Sequence, residues 1–399
     1  MTDEHGHQHG HQHASVPFYR DVRVLAVISQ IIVLVIVLLV GALLLNNVLS
    51  AMDQRGIFPE FDFLGLTSGF EIAERIVPYD STSDTYGRAL FIGLLNTLWV
   101  SIVGIFLATV IGLIVGIARL SKNWLVAKMA LGYVELFRNT PLLVQLFIIY
   151  FVVFLQLPKV QESITLPGSI YLSQRGVYTP RPEVAESGAI WLTIVVVAIV
   201  IAGTLWFIAG RRDAAGRPVR GLRPLAALVL FGLPAVAWFV VAGDPITFEE
   251  PELGKFNLTG GLEFTPEFAA LTLGLALYTA AFIAEIIRGG IEAVSKGQLE
   301  AARAIGLGEG QTLRLVVLPQ ALRIIIPPLT SQYLSLIKNS SLALAIGYAD
   351  VFNVSRTVSE QTGQPVAVIL IVMAIYLAIS LITSVLMNIY NRFVQIEQR

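Results

Sequence analysis

The sequence has no cysteine, which excludes disulfides, thiolate nucleophiles and cysteine metal sites. Its five histidines are His5, His7, His9, His11 and His13, all in the first thirteen residues. The remaining chain has no imidazole for acid–base work or for holding a metal. Charge is scarce: Asp, Glu, Lys and Arg make up 14% of the 399 residues, against roughly a quarter in a soluble domain. The net charge is −1, so no basic field points to nucleic acid. No GxxxxGK[ST] loop occurs, so the chain lacks that phosphate cradle and binds no ATP by that device. Nor is there a paired carboxylate motif or a serine with a plausible base. The sequence therefore reads as a non-enzyme with no cofactor of its own.

What it has is apolar length. Hydrophobic residues reach 55% and mean hydropathy is +0.73. A membrane-crossing helix needs ~20 mostly apolar residues. Eight segments qualify: about 24–46, 89–118, 136–157, 188–209, 224–242, 265–287, 326–347 and 365–390. The fold class expected is all-α, a polytopic membrane protein of about eight spans. The first segment is too long and too apolar for a cleaved signal core, so it counts as a retained span. The fifth is short and holds Pro234. Without it, 188–209 would also have to be reconsidered to keep the parity of crossings.

Orientation follows from the basic residues between spans. With the N-terminus in the cytoplasm, 18 lysines and arginines fall inside and eight outside, with Lys338 left within a span. That bias puts both termini in the cytoplasm. The outer segments are then 47–88, 158–187, 243–264 and the stretch between the last two spans, which holds Arg356. The first carries an amphipathic run, IFPEFDFLGLTSGFEIAERIV, suited to lying on a membrane surface. The basic inner loop RRDAAGRPVRGLRP, 211–224, reads as a topology anchor. The His-rich tail is of low complexity; it is read as a solvated tail, with loose metal binding by the five histidines as the alternative.

Residues 295–319 lie between two spans yet cannot sit in lipid. Ser295 and Gln298 have the spacing of a capping box. A helix follows through Glu300, Ala301, Ala302, Arg303 and Ala304, and Gly306 supplies a left-handed stop. A second short helix over about 309–317 is expected to end before Pro319. The alanines leave the first helix smooth enough for close approach by another protein, and Glu300 sits where the helix dipole tolerates it. An ordinary amphipathic loop is one alternative. A DNA-binding helix-turn-helix is another, disfavoured by the flanking spans and the mixed charge.

Glu300-Ala301-Ala302, three residues, Gly306, nine residues, then Val316-x-Leu318-Pro319 resembles the EAA loop of bacterial ABC-importer permeases, with Val316 in place of isoleucine. Three further stretches resemble the polar amino-acid branch of that family, which includes the histidine and glutamine importers. They are YVELFRNTPLLVQ at 133–145, AEIIRGGI at 284–291 and IKNSSL at 337–342. The resemblance covers about 89–157 and 265–392. It implies a five-helix permease core in two parts, 89–157 and 265–392, the second with the coupling loop. It also implies a cytoplasmic tail at 1–23, an extra span with its outer loop at 24–88, an insertion with two spans at 158–264 and a cytoplasmic end at 393–399. The extra span and the insertion are similar to general L-amino-acid and glutamate/glutamine/aspartate/asparagine permeases.

The same resemblance implies the partners: ATP-binding cassette ATPase subunits that bind ATP and Mg, a second homologous permease in a heterodimer, a periplasmic amino-acid-binding protein, an amino-acid substrate and membrane lipid. Glu300, Ala301, Ala302, Gly306, Leu318 and Pro319 are the expected coupling residues. An ion-coupled secondary transporter or channel is the alternative, without ATPase partners.

Ionisable groups within spans are costly and suggest function. Counted from a helix start near Pro327 and Pro328, Lys338 lies ~16 Å along, near the middle of a ~30 Å core. Its ammonium would meet a substrate carboxylate or one of the protein's own. Asn339, Ser340 and Ser341 add hydrogen-bonding capacity beside it. Glu285 and Arg288, one turn apart, are expected to pair. Asn96, Thr97, Gln145, Tyr278 and Gln332 are further path candidates, each with helix–helix hydrogen bonding as the alternative. Arg138-Asn139-Thr140-Pro141 is expected to mark a boundary or kink.

Overall fold

A computed structural model describes residues 22–54, 60–185, 187–214, 219, 221–240, 244–254 and 257–394. The His-rich tail lies outside the described residues. The chain divides into two units, 1–61 and 62–399. The described part of the first is one helix, α1 (Val22–Gln54), apolar along its length.

The second unit holds α2 (Tyr86–Arg119), α3 (Trp124–Asn139), α4 (Leu142–Phe147), α5 (Gly188–Ala214), α6 (Leu222–Val240), α7 (Pro266–Glu292), α8 (Lys296–Ala304), α9 (Glu309–Thr312), α10 (Leu318–Asn339), α11 (Val351–Thr362) and α12 (Pro365–Val394). Among the described residues of the whole chain, seven helical segments are long and apolar enough to cross a membrane. The bent α3–α4 pair makes an eighth. The eight expected segments are therefore all helical, and the fold is all-α with minor sheets.

The core of this unit is α2 against α7. Small residues recur along α2 at Gly104, Ala108, Gly112 and Gly116, three of them facing α7 or α10 directly. A Cβ at Gly112 would meet Ile283 Cγ2 at 2.6 Å, and one at Gly116 would meet the Ala284 carbonyl at 2.9 Å. Small residues at such a spacing let two membrane helices approach backbone to backbone, where van der Waals packing replaces the missing hydrophobic drive. At the far end of the contact Arg119 and Arg288 both pair with Glu285, and Arg288 also pairs with Glu292.

Five expectations need correction. The third span does not begin at 136: α3 starts at Trp124, and it bends by 105° into α4 and the turns that follow. The bend falls at Thr140-Pro141, since the proline excludes helix at the residue before it. Gln145 holds the bend by donating to the carbonyls of Phe137 at 2.9 Å and Thr140 at 2.8 Å.

Pro319 does not end a helix either. Helical structure continues from Glu309 to Asn339, with a π-turn over Leu313–Val317 just before the proline. The wider turn absorbs the missing N–H and the ring clash that proline brings. For the same reason the seventh span does not start at Pro327, because both prolines lie inside α10. Lys338 falls in its last turn, ~30 Å beyond Leu318 at 1.5 Å per residue, so the midplane position counted from Pro327 does not hold. Ser295 is the N-cap residue of α8, but its side chain makes no capping bond, and Gln298 instead accepts from Gln320 at 3.4 Å.

The described part of the amphipathic run 57–77 is not a surface helix. After a single 3₁₀ turn at Asp62–Gly65 it is an irregular strap. Phe63, Ile72 and Tyr79 pack into a core with Leu90, Val354 and Val358. Its apolar residues are thus used inside the protein, against α2 and α11.

The insertion holds short sheets that the sequence reading passed over. β1 (Ile164–Leu166), β2 (Ile170–Ser173) and β3 (Gly176–Thr179) form an antiparallel meander. β4 (Arg181–Val184) pairs with β5 (Ile246–Glu249), and β6 (Glu252–Leu253) with β7 (Leu258–Thr259). β8 (Leu262–Phe264) pairs with β3. These pairings tie the segment after α4 to the segment before α7, so both emerge at one end of the bundle. α8 lies at the other end, just past the Arg119–Glu285 pair. α5 and α6 form a hairpin closed at one end by Trp191, which stacks edge-on to Trp238 and donates to the Pro234 carbonyl at 3.0 Å.

Candidate functional site

Two places hold the candidate residues. The first is the 295–319 loop. α8 ends in a Schellman closure: Gly306, at φ +83°, donates to the Arg303 carbonyl at 3.0 Å, and Leu307 donates to Ala302 at 3.1 Å. Glycine takes that left-handed geometry without a Cβ clash. Of the three EAA residues only Ala302 is buried, at 4% exposure, and it faces inward. Glu300, Ala301, Ala304 and Gly306 are exposed, and Ile305 is 77% exposed. The result is a short helix anchored on one face, with a carboxylate, small side chains and one bare isoleucine on the other. Beneath it a cleft of about 260 Å³ is walled by Val294, Leu299, Arg303, Glu309 and Leu313. Leu318 and Pro319 open α10 and carry the loop's position into that span.

The second is the set of path candidates, which the fold does not bring together. Glu285 and Arg288 sit with Arg119 at the α8 end. Gln145 is the clamp of the α3–α4 bend; its Oε1 is buried with no partner. Tyr278 packs against Phe282, with ring centroids 5.0 Å apart and planes tilted by 55°. Lys338 is exposed and in no ion pair among the described residues. Ser340 and Ser341 donate to carbonyls of their own turn, Ile337 and Lys338.

Asn96 and Thr97 belong to a polar cluster at the sheet-bearing end. Asn96 Nδ2 donates to the Glu74 carbonyl at 2.8 Å and the Ala349 carbonyl at 2.9 Å. Thr97 Oγ1 accepts from the Val351 amide at 3.0 Å. Tyr348, 1% exposed, donates to the Asn96 carbonyl at 3.1 Å. Asp350, fully buried, caps α11 by accepting from the Asn353 amide at 2.8 Å. Burial pushes its carboxyl up to about 7, because charge is costly away from water. Burial also raises Glu74, whose carboxylate accepts from Thr265 at 2.7 Å.

Sequence reasoning missed Glu74, Tyr348 and Asp350. Glu74 lies in a segment read as a surface run, and the other two in the polar stretch between the last two spans. The one visible signal was Asp350 three residues ahead of Asn353 at a helix start.

Residues 214–396 match the family described as binding-protein-dependent transport system inner membrane component. Across nearly the whole chain the sequence is similar to the general L-amino acid transport system permease protein AapQ of Rhizobium johnstonii, 47% identical over 92% of each chain. It is also similar to the glutamate/glutamine/aspartate/asparagine transport system permease protein BztB of Rhodobacter capsulatus, 39% identical over 95% of this chain and 96% of that one. A crystal structure of an amino acid ABC transporter with histidines aligns at a TM-score of 0.46 and 23% identity, over 77% of this chain and 94% of that one.

Proposed function

The chain belongs to the binding-protein-dependent inner-membrane transport components, in the polar amino-acid permease family of ABC importers, and from that premise we propose that it couples amino-acid import to a separate ATPase through residues 295–319. The observation that carries this reading is α8 itself, fixed to the bundle by Ala302 and presenting Glu300, Ala301, Ala304 and Ile305 outward. A smooth exposed face beside a single bulky apolar residue is suited to a cleft on a partner. The continuous helix from Glu309 through α10 makes a stiff lever from that contact into the membrane. Closure of ATP-loaded ATPase subunits would push α8 and rock the spans between inward- and outward-open states.

In this reading the ATPase subunits bind ATP and Mg and perform the hydrolysis. A second, homologous permease supplies the other half of the pathway, and a periplasmic binding protein delivers a polar L-amino acid to the sheet-bearing end. Both termini face the cytoplasm, in keeping with the excess of basic residues on that side. Uptake into proteoliposomes holding the assembled system tests the energy source. The reading predicts uptake that requires internal ATP and survives collapse of ion gradients. Uptake driven by an ion gradient without ATP would replace it with a secondary transporter.

A further inference from the structure

At the sheet-bearing end a cavity of about 520 Å³ opens between the 73–76 strap, α2, the β8–α7 junction and Tyr348. That volume is in the range of small-molecule sites. Its walls are unusual in their chemistry. Asn96, 1% exposed, reaches it from the bundle side, and its Oδ1 is buried with no partner. The amide cannot be turned round to remove the orphan. Both groups at Nδ2 are carbonyls, so the nitrogen must face them and the oxygen must face away. An unpaired buried acceptor costs about 1–3 kcal/mol.

The Glu74 carboxylate also lines the cavity, and it accepts from the Ala349 amide at 3.4 Å while Asn96 Nδ2 donates to the carbonyl of the same residue. Glu74 is half-buried and has no cationic partner among the described residues, and its raised carboxyl reflects that burial. On the wall toward solvent stand Arg181 and Arg75, the latter facing Glu71 at 3.8 Å and donating to the Tyr79 carbonyl at 2.9 Å through one nitrogen. Arg181 shares only a half-exposed ion pair with Glu249 at 3.5 Å, so most of its five N–H donors remain available. Trp99 supplies an apolar wall.

The cavity thus has the Glu74 carboxylate on its inner wall and two guanidiniums on its outer rim, where the exposed Glu263 carboxylate, bonded by Tyr178, also stands. We infer that it is an entry subsite for an α-amino acid, with the α-ammonium on the Glu74 carboxylate and the α-carboxylate on the Arg75 and Arg181 rim. Such a site reads the groups common to all amino acids and leaves the side chain against Trp99. The inference rests on the importer reading and goes beyond it by naming where the substrate first meets this chain.

Calorimetry on the assembled membrane complex, without binding protein, tests it. The probes are L-glutamine and 4-carbamoylbutanoate, which is glutamine without its ammonium. Glu74→Gln keeps the shape and the Thr265 contact but removes the charge. Arg181→Gln changes an exposed rim group. The expected result is saturable glutamine binding to the wild type, at least tenfold weaker in each variant, and tenfold weaker or absent for the deaminated probe, with melting temperatures unchanged. Absence of saturable binding, or affinities in both variants within twofold of wild type, would overturn the inference. ATP-dependent uptake by the wild type, measured in parallel, keeps the two readings apart. If uptake is present and the variants bind normally, only the subsite falls; if no ATP-dependent uptake occurs, the importer reading falls.

Discussion

Asp350 does two jobs whose energetics oppose each other. As N-cap of α11 it satisfies a helix amide, yet its burial makes the charged form expensive. The folded carboxyl keeps its proton up to about 7, against an ordinary value of 3.8. Between those two values the folded state binds a proton that the unfolded chain has released. Stability from this group is therefore fully present below pH ~4, falls as pH rises toward 7, and is level above that. Asn caps as well as Asp and carries no proton. Thermal unfolding of wild type and Asp350→Asn from pH 4 to 8 should show the wild type losing ground to the variant across that window, and a constant difference above it. Gln145 is a second residue with a checkable role. Gln145→Leu removes both donors from the α3–α4 bend and should cost about 1–3 kcal/mol in unfolding measurements.

At the scale of elements, the α2–α7 contact is set by what is missing from α2. Gly112→Leu would drive a side chain into Ile283, and overpacking of this kind costs about 1–3 kcal/mol; a lowered melting temperature with normal membrane insertion would register it. All the spans were legible because each carries ~20 apolar residues, a signal that needs no tertiary knowledge. The ends of those spans were less legible, for a specific reason. Proline was read as a terminator at 319 and as a helix start at 327 and 328, whereas a π-turn leads the helix into Pro319 and α10 runs through the other two. Gly306 was legible because a left-handed stop is a local backbone demand. The short strands were not, since none carries a repeating apolar pattern longer than four residues and β8 depends on a partner, β3, far back along the chain. The Glu74–Asn96–Asp350 cluster was hidden likewise: it is assembled from three segments, and only Asn96 lay in one already under suspicion.

For the molecule as a whole, the absence of cysteine makes the orientation directly testable. Ile305 in the coupling loop and Leu166 in the β1 strand are both exposed. Ile305→Cys should react with a membrane-impermeant maleimide only in inside-out vesicles, and Leu166→Cys only in right-side-out ones; the reverse pattern would invert the topology and move α8 away from any cytoplasmic ATPase. The central claim is that force enters this chain at α8. Its most direct test is ATP-dependent amino-acid uptake by the reconstituted system carrying Glu300→Lys, with the variant's insertion and its folding verified. The account predicts that uptake collapses by at least tenfold while the chain remains inserted and folded. Uptake at the wild-type rate would mean that 295–319 is only a connecting loop and that coupling enters elsewhere.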